Sequence, residues 1–92
     1  MEETYEFDDQ SYAALVAAGV AWQDVIFALH DSRPKVRRHI GAVLNIAARD
    51  RQGHWLAVAL IERDDNDYLI VGARYLDSDE VASVTKMLGG LQ

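Results

Sequence analysis

Cysteine is missing from all 92 residues, which excludes a disulfide framework and a thiolate metal site and leaves a reducing compartment compatible. Long apolar runs are missing as well, and no stretch is long enough to span a bilayer. The chain opens on Glu2, Glu3, Glu6, Asp8 and Asp9 where a secretory signal carries basic residues before an apolar core. A cytoplasmic location without membrane attachment is the resulting expectation. Positive charge is scarce too. Nine Lys and Arg face fifteen Asp and Glu, a net charge of -6, which counts against a nucleic-acid partner because phosphate binding relies on cations.

What is present is ordinary globular composition, half hydrophobic and about a quarter charged. A chain of this length makes one domain, 1–92, that buries only roughly 60 to 65% of its unfolded surface, so its stability margin is thin. The charge is uneven. Between positions 33 and 63 lie Arg33, Lys35, Arg37, Arg38, Arg49, Arg51 and Arg63 against Asp50 and Glu62 alone, while the acids concentrate at 2–9 and 64–80. Such asymmetry fits a basic working surface or a solvated face paired with the acidic segments.

Hydrophobic spacing predicts the elements. Asp9 is placed to cap a helix of about three turns carrying Tyr12, Leu15 and Val16, with Gly19 as its left-handed stop. A second helix starts near Ala21, with Trp22, Val25, Ile26 and Leu29 on its stripe and His30 in its last turn. Past Pro34 the period drops to two, the mark of strands: Val36–Ile40 as a charged edge, then 42–49, 54–63 and 68–75, with 54–63 apolar on both faces and therefore central. Short links at 49–53 and 64–67 read as hairpins, so the strands form an antiparallel meander. Asp77 and Glu80 form a capping-box pair opening a last helix with Val81, Val84 and Leu88 on one side. The expected fold is α+β: two N-terminal helices, a twisted antiparallel sheet of about four strands with a short extra strand at 3–7 as an option, and a C-terminal helix.

Several chemistries find no support. Asp64, Asp65 and Asp67 lack the glycine and terminal glutamate of a calcium loop, and His30, His39 and His54 are not spaced as metal ligands, so no metal or other cofactor is expected. There is no Gly-rich phosphate loop, and Ser11, Ser32, Ser78 and Ser83 are not in a nucleophile elbow. In the run 33–39, strand alternation puts Lys35, Arg37 and His39 on one face, about 7 Å apart, and Arg38 on the other. That spacing suits successive backbone phosphates, and equally suits an edge strand defended against pairing. Ala57, Ala59 and Gly72 keep mid-strand positions small, either as a shallow substrate floor or as room for packed helices.

Gly41-Ala42-Val43-Leu44-Asn45-Ile46, Gly53-His54-Trp55-Leu56-Ala57-Val58-Ala59, Glu62-Arg63, Leu69-Ile70-Val71-Gly72-Ala73-Arg74 and Asp79-Glu80 together resemble the BrnT family of toxins, and Gly19-Val20-Ala21-Trp22-Gln23-Asp24-Val25 is similar to that family's entry into its second helix. The likeness runs over about residues 5–88. It implies a RelE-like fold and metal-independent endoribonuclease activity that cleaves messenger RNA, free or on the ribosome, under the control of a small antitoxin protein. Glu62, Arg63 and Arg74 fall on matching motif positions, as base and phosphate-holding groups. His39 and His54 are added from side-chain chemistry, because histidine exchanges protons near neutral pH. Lys35, Arg37, Arg38 and Arg49 are the expected RNA-binding cations. The chain departs from the family where an Arg-rich helix start is replaced by Tyr75-Leu76-Asp77-Ser78-Asp79-Glu80. An interstrand ion-pair ladder is the competing use of Glu62, Arg63 and Arg74. A non-catalytic RelE-fold module binding a basic partner, or a homodimer formed through an exposed strand, are the competing functions.

Overall fold

Local sequence signals account for most element boundaries in a computed structural model of the chain, described here over residues 3–89. The order is β1 (Thr4–Glu6), α1 (Asp9–Ala18), α2 (Trp22–His30), β2 (Val36–Ile40), β3 (Val43–Arg49), β4 (Trp55–Asp64), β5 (Asp67–Tyr75) and α3 (Ser78–Gly89). The N-cap of α1 is Asp8, one residue earlier than expected. Asp8 Oδ1 accepts from Ser11 N at 2.8 Å while Asp8 N donates to Ser11 Oγ at 3.0 Å, a reciprocal box that a cap at Asp9, with Tyr12 in the third position, could not make. Ser11 Oγ also donates to the buried Ile70 carbonyl, so the same residue that closes the cap docks α1 on β5. At the other end Gly19 takes φ 70°, and Val20 N donates to Leu15 O at 2.9 Å with both side chains buried, which ends α1 and turns the chain by 100° into α2. The expected box on α3 is present: Glu80 N donates to Asp77 Oδ1 at 2.9 Å and Asp77 N to Glu80 Oε1 at 3.0 Å.

The sheet has five strands in the order β1-β5-β4-β3-β2, antiparallel except that β1 runs parallel to β5, with helices flanking it. The fold is therefore α+β as expected, with the optional strand realised and the sheet mixed. β4 is central and β2 an exposed edge. Register puts Leu44, Ile46 and Ala48 beside Leu60, Val58 and Leu56, and Leu60 beside Ile70, on one face. Leu15, Val20, Val25, Ala28 and Leu29 close that face into one core, each large side chain contributing about 1.5–3 kcal/mol. Among the described residues no single helix is long and apolar enough to cross a membrane.

An unexpected contact ties the two edges of the sheet together. Arg37 on β2 forks onto Glu3, just ahead of β1, with both N···O distances 2.8 Å, although β1 and β2 stand at opposite ends of the strand order. The sheet must curl around the end of α2 for this, and Tyr5 fills the gap, its ring 5.2 Å from that of His30 and 6.0 Å from that of Tyr68. Hydrogen bonding from Arg37 outweighs burial and holds the Glu3 carboxyl down to about 2.

Candidate functional site

The β3–β4 hairpin is built around a buried carboxylate. Asp50 N donates to His54 O at 2.8 Å and Gly53 N to Asp50 O at 3.1 Å, the latter with Gly53 at φ 87°, a left-handed conformation that favours glycine. Asp50 is only 3% exposed. Its Oδ1 accepts from Gln52 N at 2.8 Å and His54 N at 2.9 Å, and its Oδ2 accepts from the Tyr75 hydroxyl at 2.9 Å. Burial pushes this carboxyl up, but the donors from His54, Tyr75 and Gln52 together hold it below its ordinary value. Burial first, and then the bond to Asp50, raise the Tyr75 phenol to about 12, so it stays a neutral donor.

The turn so fixed presents His54 to solvent. Its side chain is 67% exposed, with Nδ1 3.7 Å from Asp50 Oδ2 and its ring edge-on to Tyr75 at 6.4 Å. His54 opens onto a cleft of about 370 Å³ lined also by Gly53, Trp55, Tyr75, Leu76 and Val81. Trp55 pairs across the strands with Arg49, whose guanidinium lies 5.5 Å from the indole centroid.

Two residues further along β4 the surface becomes a depression of about 220 Å³ lined by Asn45, Ala57, Ala59, Gly72, Ala73 and Arg74, all strand residues. Register brings the small positions together: Ala57 opposes Ala47 and Arg74, Ala59 opposes Asn45 and Gly72, and Arg38 opposes Asn45. The small positions thus line one depression, and at Gly72 they also leave room for α1, since a Cβ there would stand 3.9 Å from that of Ala14. Arg74 is clamped at its rim by Glu80, at 2.7 and 2.5 Å, and this pairing first, with the Asp77 backbone, holds the Glu80 carboxyl down to about 2.

The residues singled out in the sequence divide between several places. Arg49, Arg74 and Arg38 stand opposite Trp55, Ala57 and Asn45 on the side of the sheet that carries the small-residue depression, and Arg38 has no ion-pair partner among the described residues, whereas His54 lies at the end of the sheet, in the turn before β4, against Asp50 and Tyr75. Glu62 and Arg63 lie at the far end of β4, roughly 17 Å from Ala57 at strand spacing. There Glu62 Oε2 accepts from Asn66 N at 3.2 Å, and Arg63 pairs with Glu6 and, at 3.5 Å, with Asp67. Glu62 and Arg63 are therefore not brought together with Arg74. Arg37 and His39 stand opposite Ile46 and Leu44, on the helix-covered side, with Arg37 committed to Glu3. Lys35 donates to the Leu29 carbonyl at the end of α2.

Asp50, Trp55, Tyr75 and Asn45 complete the arrangement and were not singled out as site residues. Asp50 had a local signal, an aspartate three residues before a glycine in a hairpin, the pattern of a side chain that bonds its own turn. Tyr75 had none, because its partner is set by register. Comparison with models of known protein families, with curated proteins and with solved structures gives no match.

Proposed function

We propose that this chain is a toxin-like endoribonuclease, related to the BrnT toxins of the RelE-like superfamily and neutralised by a small antitoxin, that cleaves single-stranded messenger RNA. The observation that carries the reading is the juxtaposition of an exposed histidine backed by a buried carboxylate with an aromatic cleft and an arginine-rimmed floor of small residues. Trp55 is half-buried, and its open edge offers a surface on which a base can stack, while a floor of alanine and glycine lets a ribose-phosphate backbone approach closely. Arg74, Arg49 and Arg38 supply cations for the phosphate.

In the reaction the ribose 2′-oxygen attacks the adjacent phosphorus, and the phosphorus–O5′ bond breaks. The products are a 2′,3′-cyclic phosphate and a 5′-hydroxyl. One proton leaves the 2′-hydroxyl and one is delivered to O5′. His54 is the proton-transfer group, its backbone N–H held by Asp50 and its Nδ1 3.7 Å from the Asp50 carboxylate, while Arg74 and Arg49 stabilise the charge that builds on the phosphate oxygens. Glu62, Arg63 and His39 stand outside this cluster and take no step in it.

The test is cleavage of a defined single-stranded RNA by purified protein, with the 5′ fragment analysed for a cyclic phosphate end. His54→Ala is expected to slow cleavage on the order of 100-fold, and Arg74→Ala by a comparable factor. Cleavage unchanged in both variants would remove the reading. A second reading, a non-catalytic RelE-fold module that binds a basic partner, is favoured by the way Glu3, Glu6 and Glu80 occupy Arg37, Arg63 and Arg74. It gains if the wild-type protein leaves RNA intact and its induction leaves growth unaffected.

A further inference from the structure

A third concavity, of about 340 Å³, lies where α2 ends and β2 begins, and it is lined by Glu3, Tyr5, Leu29, His30, Arg33 and Lys35. Its size is within the range of small-molecule sites. The charges facing it do not balance. Glu3 is occupied by both nitrogens of the Arg37 fork and by the Tyr5 hydroxyl at 2.6 Å, which leaves Arg33 and Lys35 against Asp31 alone. Arg33 spends one N–H on the Ser32 carbonyl at 2.7 Å, and Lys35 one on the Leu29 carbonyl, so most of their donors remain for a ligand. The excess is felt locally: burial first, then Arg33 and Arg37, hold the Lys35 ammonium below its ordinary value despite Glu3 and Asp31. Beside the cations, Tyr5, Leu29 and the exposed His30 ring provide an apolar and aromatic wall.

We infer that this pocket binds the phosphate group of a small phosphate monoester, with Arg33 and Lys35 on the phosphate oxygens and Tyr5 and His30 beside the organic part. Guanidinium and ammonium donors converging on one dianion make the strongest class of hydrogen bond. The phosphate can come from free phosphate or from a monoester, and the aromatic wall favours the latter. The site is separate from the His54 cleft, and its test does not depend on RNA cleavage.

Adenosine monophosphate, inorganic phosphate and adenosine are titrated into the full chain, followed by calorimetry and amide chemical shifts. The monophosphate is expected to bind saturably and perturb Tyr5, His30, Arg33 and Lys35, with inorganic phosphate weaker at the same residues and adenosine weakest. Arg33→Gln and Lys35→Met, the second keeping the aliphatic stem, should each weaken the monophosphate by roughly tenfold or more, while Lys86→Gln on α3 should leave it unchanged. Melting curves establish that each variant is folded. Three results would overturn the inference: no saturable binding of monophosphate or phosphate at about 10 mM, adenosine binding as well as its monophosphate, or folded Arg33 and Lys35 variants that bind as the wild type does.

Discussion

The two hairpins at the ends of β4 use the same residue type in opposite ways. In the β3–β4 turn a single aspartate, Asp50, is buried and satisfied by two backbone N–H groups and a tyrosine hydroxyl. In the β4–β5 turn Asp64, Asp65 and Asp67 surround the tip, Asp64 stands directly opposite Asp67, and Asn66 takes φ 59° to close the loop. One carboxylate organises its turn because water has been replaced by matched donors. Asp64 and Asp65 are exposed, where like charges across a strand pair cost a little and specify less, and Asp67 is half-buried, its Oδ1 without a hydrogen bond and 3.5 Å from Arg63. The exposed histidine and the cleft are found at the organised end.

Replacing Asp50 by alanine tests the difference most strongly. It strands the Gln52 and His54 N–H groups and the Tyr75 hydroxyl, and it is expected to cost about 3 kcal/mol in chemical denaturation. Tyr75→Phe removes one of the three donors and should cost about 1 kcal/mol by the same measurement. The pH dependence follows in sign. Because the Asp50 carboxyl is depressed in the folded state, its contribution is complete above its ordinary value of 3.8 and disappears as pH falls through its lower folded value. The melting-temperature gap between wild type and Asp50→Asn should therefore narrow on acidification below that point. If the gap is constant with pH, Asp50 contributes through shape rather than charge. Glu80→Gln should loosen the clamp on Arg74 and strengthen single-stranded RNA binding a few-fold; weaker binding would mean that Arg74 serves the fold alone. The smallest effect belongs to the acidic tip, where Asp64→Asn should stabilise the protein by a few tenths of a kcal/mol, since it removes repulsion from Asp67 and keeps the bond to Asp65 N.

How much of this was legible depended on the distance over which each feature is decided. The glycine stop at Gly19, the Asp77–Glu80 box and the apolar centre at β4 were read correctly, because helix ends and strand periodicity depend on residues a few positions apart. The α1 cap was displaced by one residue because Asp8 and Asp9 compete, and Ser11, which also bonds Ile70, settles the competition. For the candidate site the split is sharper. His54, Arg49, Arg74 and Arg38 were named, but so were Glu62, Arg63, His39, Lys35 and Arg37; alternation set Arg38 apart from Lys35, Arg37 and His39 without showing which face the helices cover, and nothing in the spacing set Glu62 and Arg63 apart.

The sequence by itself determined where the helices and the four main strands lie, that the strand apolar on both faces is central, and that basic residues cluster around β2 and the β3–β4 turn. Those are properties of short-range periodicity and composition. Only the tertiary structure decided that Ala57, Ala59, Asn45 and Gly72 share one floor and that Tyr75 closes over Asp50. It also decided which arginines are held by Glu3, Glu6 and Glu80. The floor and the Tyr75–Asp50 contact depend on strand register, and a shift of one residue would have sent those strand side chains to the other face; the Arg37–Glu3 pair depends on the curl that brings the sheet edges together, and the Arg74–Glu80 pair on how α3 leaves β5.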